Sequence, residues 1–193
     1  MEEHFSPQQS LALITQVIQQ AKQKVERDDT VYMFWGLLIA VAALGQYFML
    51  QVPTMRAYSF VPYCLMPVGS LLTWWYYSKK AGSNTNNLLQ NTLKKLWVVI
   101  SINLYILGFV LFGVLGAKLI PIILLLLGMG FFITAWTVQS APLQFSGLLM
   151  NIVGLVAFYV PLDSQPLCLA GVAFVGGFLV GGYLRYQKQK SYV

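Results

Sequence analysis

Residues able to carry out chemistry are few in this chain, and their spacing does not suit it. The one histidine, His4, stands near the N-terminus, and the two cysteines, Cys64 and Cys168, are far apart in sequence. A zinc site takes three or four ligands from His, Cys or carboxylate, and this set does not supply them. Paired carboxylates occur only at Glu2-Glu3 and Asp28-Asp29. No Ser-His-Asp set can be assembled, and no glycine-rich phosphate loop is present. The expectation is therefore no catalytic residue, no metal and no cofactor. An enzyme is the weakest of the function classes considered.

What remains is a small set of uncharged polar residues inside apolar stretches: Gln46, Thr73, Ser101, Asn103, Thr134, Ser146 and Asn151. Asn103, Asn151, Gln46 and Thr134 are the candidate intramembrane polar residues. Two uses suit them. They can hydrogen-bond helix to helix, at about 0.6 kcal/mol each on average, or they can line a small polar pocket. No Asp, Glu, His, Lys or Arg falls mid-stretch, which argues against an ion-coupled transporter but leaves a path for a neutral solute open.

The elements that would position these residues are legible from composition. Of 193 residues, 58% are hydrophobic and 9% charged, against about 25% charged in a soluble domain. Charge-free stretches long enough for spanning helices of about 20 residues recur along the chain. They predict an all-α polytopic membrane bundle of six transmembrane helices at 31–50, 58–77, 96–116, 119–137, 142–160 and 165–185. The organisation is an amphipathic cytoplasmic helix over 1–29, a transmembrane domain over 30–186 and a basic tail over 187–193. The first 30 residues lack the basic-then-apolar order of a signal peptide, so the first span is expected to be retained.

Lysine and arginine set the orientation. Lys22, Lys24, Arg27, Lys79, Lys80, Lys94, Lys95, Arg185, Lys188 and Lys190 fall on one side, and Arg56 and Lys118 on the other. The first side is cytoplasmic, with both termini inside. The net charge of +6 is thus a topology signal spread over helix ends, and no nucleic-acid partner is expected.

Several local patterns refine this picture. Ser6-Pro7-Gln8-Gln9 is a capping-box start. Leu11, Ile14, Ile18, Ala21 and Val25 then form one apolar seam, which needs cover from the membrane surface, this protein's own cytoplasmic face or a partner helix. Leu11, Ile14, Ile18 and Val25 are the candidate partner seam. Asp28-Asp29-Thr30 can cap the first span. Pro62 and Pro67 are expected to kink the second. Its inner end reads Trp74-Trp75-Tyr76-Tyr77-Ser78-Lys79-Lys80. Trp74, Trp75, Lys79 and Lys80 suit anchors at the lipid headgroups, and an aromatic cage for a cation is the alternative. Cys64 and Cys168 both fall in spans, as free buried thiols or, less simply, as a disulfide.

A motif also repeats. Gly69-x-x-x-Thr73-x-Trp75, Gly130-x-x-x-Thr134-x-Trp136 and Gly177-x-x-x-Gly181-x-Tyr183 close the second, fourth and sixth spans, with Gly45, Gly108 and Gly154 upstream. This suggests three helical hairpins of one design. Ala173, Gly177 and Gly181 share a face that lets backbones approach closely. That face serves packing inside the bundle or, alternatively, a homodimer through helix six.

"SLALITQVIQQAK", "YMFWGLLIA", the paired lysines after the second span, "LLQNTLKKLWVVISI" and the terminal "GGYLRYQKQK" together resemble an uncharacterised Bacteroidota-type family of six-span inner-membrane proteins. The resemblance covers the whole chain. It implies the topology and a bacterial cytoplasmic membrane, and it carries no catalytic residues. The family tends to be basic between helices four and five, whereas this chain reads "TVQSAPLQ". The Gly154–Gly177 hairpin is also similar to the hairpin-repeat acid-resistance membrane protein family. The resulting expectation is a non-enzymatic inner-membrane protein working by protein or lipid interaction, in an accessory, regulatory or stress-related role. The bilayer is its first partner, and a cytoplasmic protein on the N-terminal seam would be another. The alternative is a transporter or channel for a neutral or lipophilic solute.

Overall fold

The computed structural model describes residues 29–80 and 88–190. The expected N-terminal seam, with Leu11, Ile14, Ile18 and Val25, lies outside the described residues. Within them every regular element is helical. We label these α1 (Asp29–Gln51), α2 (Leu65–Lys80), α3 (Leu88–Tyr105), α4 (Phe112–Leu115), α5 (Leu119–Val138), α6 (Ala141–Ala157), α7 (Gln165–Val172) and α8 (Val180–Lys190). A π-helical segment, Ala173–Leu179, joins α7 to α8 in one rod. Four helical stretches are long and apolar enough to cross a membrane: Thr30–Gln51, Asn91–Val110, Phe112–Val138 and Gln165–Gln187. α6 is a shorter apolar helix. Trp74, Val110, Val114, Trp136 and Tyr159 stand exposed on the outside. Such an apolar exterior is that of a membrane protein.

The boundaries differ from the sequence expectation in two places, both for backbone reasons. Helix two was expected from residue 58, but α2 begins at Leu65 after two 3-10 turns, Arg56–Tyr58 and Val61–Cys64. Pro62 and Pro67 have no N–H to donate, so an α-ladder cannot run through them, whereas the first turn of a helix tolerates proline. Helix three was expected over 96–116. Instead α3 begins at Leu88, widens into a π-turn at Ile106–Val110, and breaks at Leu111, with φ −98° and ψ 3°. Gly116 then adopts φ +48°, a conformation that glycine takes without a Cβ penalty. The chain runs through a 3-10 turn, Gly116–Lys118, directly into α5.

The turn between α5 and α6 is also local chemistry. Gln139 sits in the left-handed region and closes α5, and Ser140 N–H donates to Ala135 O at 3.0 Å. That is the 6→1 bond of a Schellman end. Ser140 is extended and Pro142 falls in the first turn of α6, where its missing N–H costs nothing.

Packing centres on α1, α5, α6 and the α7–α8 rod. α6 buries Leu143, Ser146, Gly147, Met150, Gly154 and Ala157, a stripe at spacings of three and four. α5 presents Leu124, Leu127, Gly128, Phe131, Thr134 and Ala135. The two meet across glycines. A Cβ on Gly147 would stand 2.9 Å from Phe132 N, and one on Gly154 3.1 Å from Leu124 Cβ. α2 and α3 lie at the flank. Only 11% of the Asn91–Val110 stretch is buried, against 56% of Phe112–Val138, so α3 depends on few contacts.

Candidate functional site

Gln46 is buried on α1, and its Oε1 accepts from Tyr63 OH at 2.7 Å. Beside it, a Cβ on Gly45 would meet Pro62 Cγ at 3.2 Å. The end of α1 is thereby joined to the start of α2. Near the other end of the same pair, Trp35 Nε1 donates to Thr73 Oγ1 at 3.1 Å, and Thr73 Oγ1 donates to Gly69 O at 2.8 Å. A Cβ on Gly69 would stand 2.5 Å from Leu38 Cδ2 and 3.4 Å from the Trp35 ring.

The same arrangement occurs between α3 and α5. Trp97 Nε1 donates to Thr134 Oγ1 at 3.1 Å, and Thr134 Oγ1 donates to Gly130 O at 2.8 Å. A Cβ on Gly130 would stand 2.5 Å from Ile100 Cδ1 and 3.6 Å from the Trp97 ring. Each unit works for one reason. The glycine lets the indole lie on the backbone, and the threonine, bonded back to its own helix, offers its oxygen to the indole N–H. A buried indole N–H needs such a partner. In both cases a Trp-x-x-(Leu/Ile) on one helix reads a Gly-x-x-x-Thr on an antiparallel neighbour.

The third copy of the motif works differently. Ser146 on α6 donates to Gly176 O in the π segment at 2.8 Å, so the hydroxyl now comes from the first helix of the pair. Gly177 faces away from α6, towards α1. A Cβ on Gly177 would stand 2.6 Å from Gly36 Cα, and one on Gly36 would meet Phe178 N, Gly177 C and Ala173 O. Ala173 and Gly181 are buried with it. Gly36, Ala40 and Ala43, at i, i+4 and i+7 on α1, are also buried. The small face of the last rod is therefore occupied by α1 of the same chain.

The two asparagines do not meet. Asn151 packs against Gly128 of α5 and donates to Gly147 O of its own helix at 2.8 Å. Asn103 is exposed on α3 and donates to Val99 O at 2.8 Å. The upstream glycines are not equivalent either, since Gly108 has open space where Gly45 and Gly154 have neighbours. Cys64 and Cys168 are both free thiols. Among the described residues no group of three His, Cys, Asp or Glu is placed to hold a metal. Trp74 and Trp75 are exposed, and Lys79 Nζ lies 4.0 Å above the Trp75 ring, which keeps the ammonium beside the aromatic belt.

Three features here had no place in the sequence reading: Trp35, Trp97 and the Gly36–Ala40–Ala43 face. For the two tryptophans the signal was present as Trp-x-x-(Leu/Ile), with Trp35 and Trp97 standing 34 and 33 residues before Gly69 and Gly130 of the Gly-x-x-x-Thr motifs. Without a partner position it reads as ordinary membrane composition. Arg56 also finds a partner distant in sequence: its Nη2 and Asp163 Oδ1 are 2.7 Å apart. Both are exposed, so the pair contributes at most about 1 kcal/mol. Its value is geometric, because it ties the segment before α2 to the segment before α7 at one end of the bundle.

These observations define a class: an all-helical membrane protein in which Gln46, Thr73, Thr134 and Ser146 bond helix to helix. Compared with family models, curated proteins and solved structures, the chain matches none.

Proposed function

We propose that the chain is a non-enzymatic integral protein of a bacterial inner membrane, acting by protein or lipid interaction in an accessory, regulatory or stress-related role. In this reading it crosses six times, with both termini cytoplasmic. α2 has 16 residues, about 24 Å at 1.5 Å each. The preceding 3-10 turn, Val61–Cys64, adds about 8 Å, and the two together, counting the headgroup anchor that ends at Lys80, reach across most of a hydrocarbon core of about 30 Å. The antiparallel Trp–Thr pairs, joined to each other by the Tyr32–Phe131 ring contact, group Asp29, Lys79, Lys94 and Val138 at one end, and an excess of lysine and arginine at that end supports a cytoplasmic assignment.

The observation that carries the interaction reading is the use of Gln46, Thr73, Thr134 and Ser146 in helix-to-helix bonds, while Asn103 and Asn151 stand in different surroundings. A solute path would need such groups to converge on one space.

Two measurements test the two parts. In a variant lacking Cys64 and Cys168, Thr54→Cys is expected to react with an impermeant maleimide on intact spheroplasts, and Ser78→Cys only after permeabilisation. The opposite pattern overturns the orientation. Proteoliposomes are expected to pass glycerol no faster than protein-free vesicles. A protein-dependent flux that Asn151→Leu abolishes would replace the interaction reading with the transport one.

A further inference from the structure

We propose that the exposed face of α3 is the seam of a homodimer, with Asn103 of one copy bonded to Asn103 of the other. This rests on the membrane reading above. Val98, Val99, Ile102, Asn103 and Ile106 are all exposed. At 100° per residue they occupy one arc of about 140°, while Leu93 and Ile100 are buried on the opposite side. Asn103 is the one polar residue of the five. It lies eight residues, about 12 Å, from Lys95 and as far from the break at Leu111, which is mid-depth for a spanning helix.

Its carboxamide is only partly satisfied. Nδ2 donates to Val99 O of its own helix, and Oδ1 accepts no hydrogen bond among the described residues. In hydrocarbon no water completes the set, and an unmet polar group is costly there. A second copy of the same face supplies what is missing. A carboxamide holds both donor and acceptor, so two related by a two-fold axis complement each other without any further residue type. An asparagine among apolar seam residues also fixes register and partner number. The surrounding valines and isoleucines interdigitate as any seam of branched residues does. α3 has the surface to give, being the least buried of the four long stretches.

The face differs from the small-residue face of the last rod, which α1 already covers. The dimer therefore forms on the flank and leaves the central packing intact.

The test uses the full chain, donor- or acceptor-labelled, in vesicles of phosphatidylethanolamine and phosphatidylglycerol over a range of protein-to-lipid ratios. Energy transfer is expected to report dimers for the wild type. Asn103→Leu should weaken association about ten-fold, and Asn103→Gln should stay within about two-fold. Single cysteines at Val99, Ile102 and Ile106 are expected to cross-link copy to copy, and cysteines at Ile100 and Leu104 are not. A monomeric wild type, an Asn103→Leu protein that dimerises unchanged, or cross-links at Ile100 in place of Ile102 would each overturn the proposal. If the protein is instead released from membranes by alkaline carbonate, the membrane reading itself has failed. Retention in membranes without dimers sinks the dimer alone.

Discussion

Gly36→Val is expected to be the most damaging single substitution among the described residues, lowering stability by about 3 kcal/mol or more. The cause is backbone geometry. A Cβ at residue 36 meets Phe178 N, Gly177 C and Ala173 O, all main-chain atoms of the last rod, so no side chain can turn aside to admit it. The two helices would have to separate, and with them the small-residue contact that substitutes for hydrophobic drive between helices in lipid. For a chain of this size the thermal midpoint should fall by about 10 °C, read by heating the detergent-solubilised protein and following intrinsic fluorescence. Gly36→Ala should fall in the same direction. Gly182→Ala and Gly108→Ala, where nothing stands within 4 Å, should remain within about 0.5 kcal/mol of wild type. A Gly36→Val protein that melts with the wild type would show that α1 and the last rod do not approach as described.

Trp97→Ala is expected to cost about 3 kcal/mol, and the loss should concentrate at α3. The indole holds α3 in three ways. It donates to Thr134, lies over Gly130, and meets the Phe131 ring edge-on at 5.5 Å and 89°. α3 has little else to hold it, with only Leu93 and Ile100 among its deeply buried apolar residues. Trp97→Phe keeps the ring and drops the N–H, so about 1 kcal/mol should be lost. Thr134→Val, which removes the acceptor and leaves the N–H unmet, should cost about 1–2 kcal/mol. The pair Trp97→Phe and Thr134→Val should be non-additive, since each removes the same bond. A thiol-accessibility measurement at Ile100→Cys separates local from global loss. In the Trp97→Ala background it should become reactive at temperatures where the rest of the protein is still folded. Additive costs, or an Ile100→Cys that reacts only at the global midpoint, would count against this role for Trp97.

The echo of Gly-x-x-x-Thr was readable because two identical tasks call for identical residues. Gly69 and Gly130 each admit an indole, and Thr73 and Thr134 each meet its N–H. The third copy looked equivalent and is not. Nothing in "GGFLVGGY" says that Gly176 turns to Ser146 while Gly177 turns to Gly36, because a π segment shifts which residue faces which neighbour. Asn103 and Asn151 likewise looked like a matched pair by position in their hairpins. One is packed against α5 and the other is exposed, because helix rotation depends on what surrounds the helix.

By itself, then, the amino-acid sequence determined the solvent and the secondary structure of this protein. With few charges and long stretches that carry none, its apolar segments must satisfy their own backbone groups, and helices do so. Prolines 62 and 67 also marked a kink in the second helix, although not that α2 would begin only at Leu65. Tertiary structure alone decided which glycine meets which helix, that Arg56 finds Asp163, and which asparagine faces outward. The physical reason is that apolar periodicity says little about facing in a chain whose outside and inside are both apolar. In lipid the choice of neighbour falls to close backbone approach and a few hydrogen bonds. These depend on pairs of positions far apart in sequence, and no single stretch records its partner.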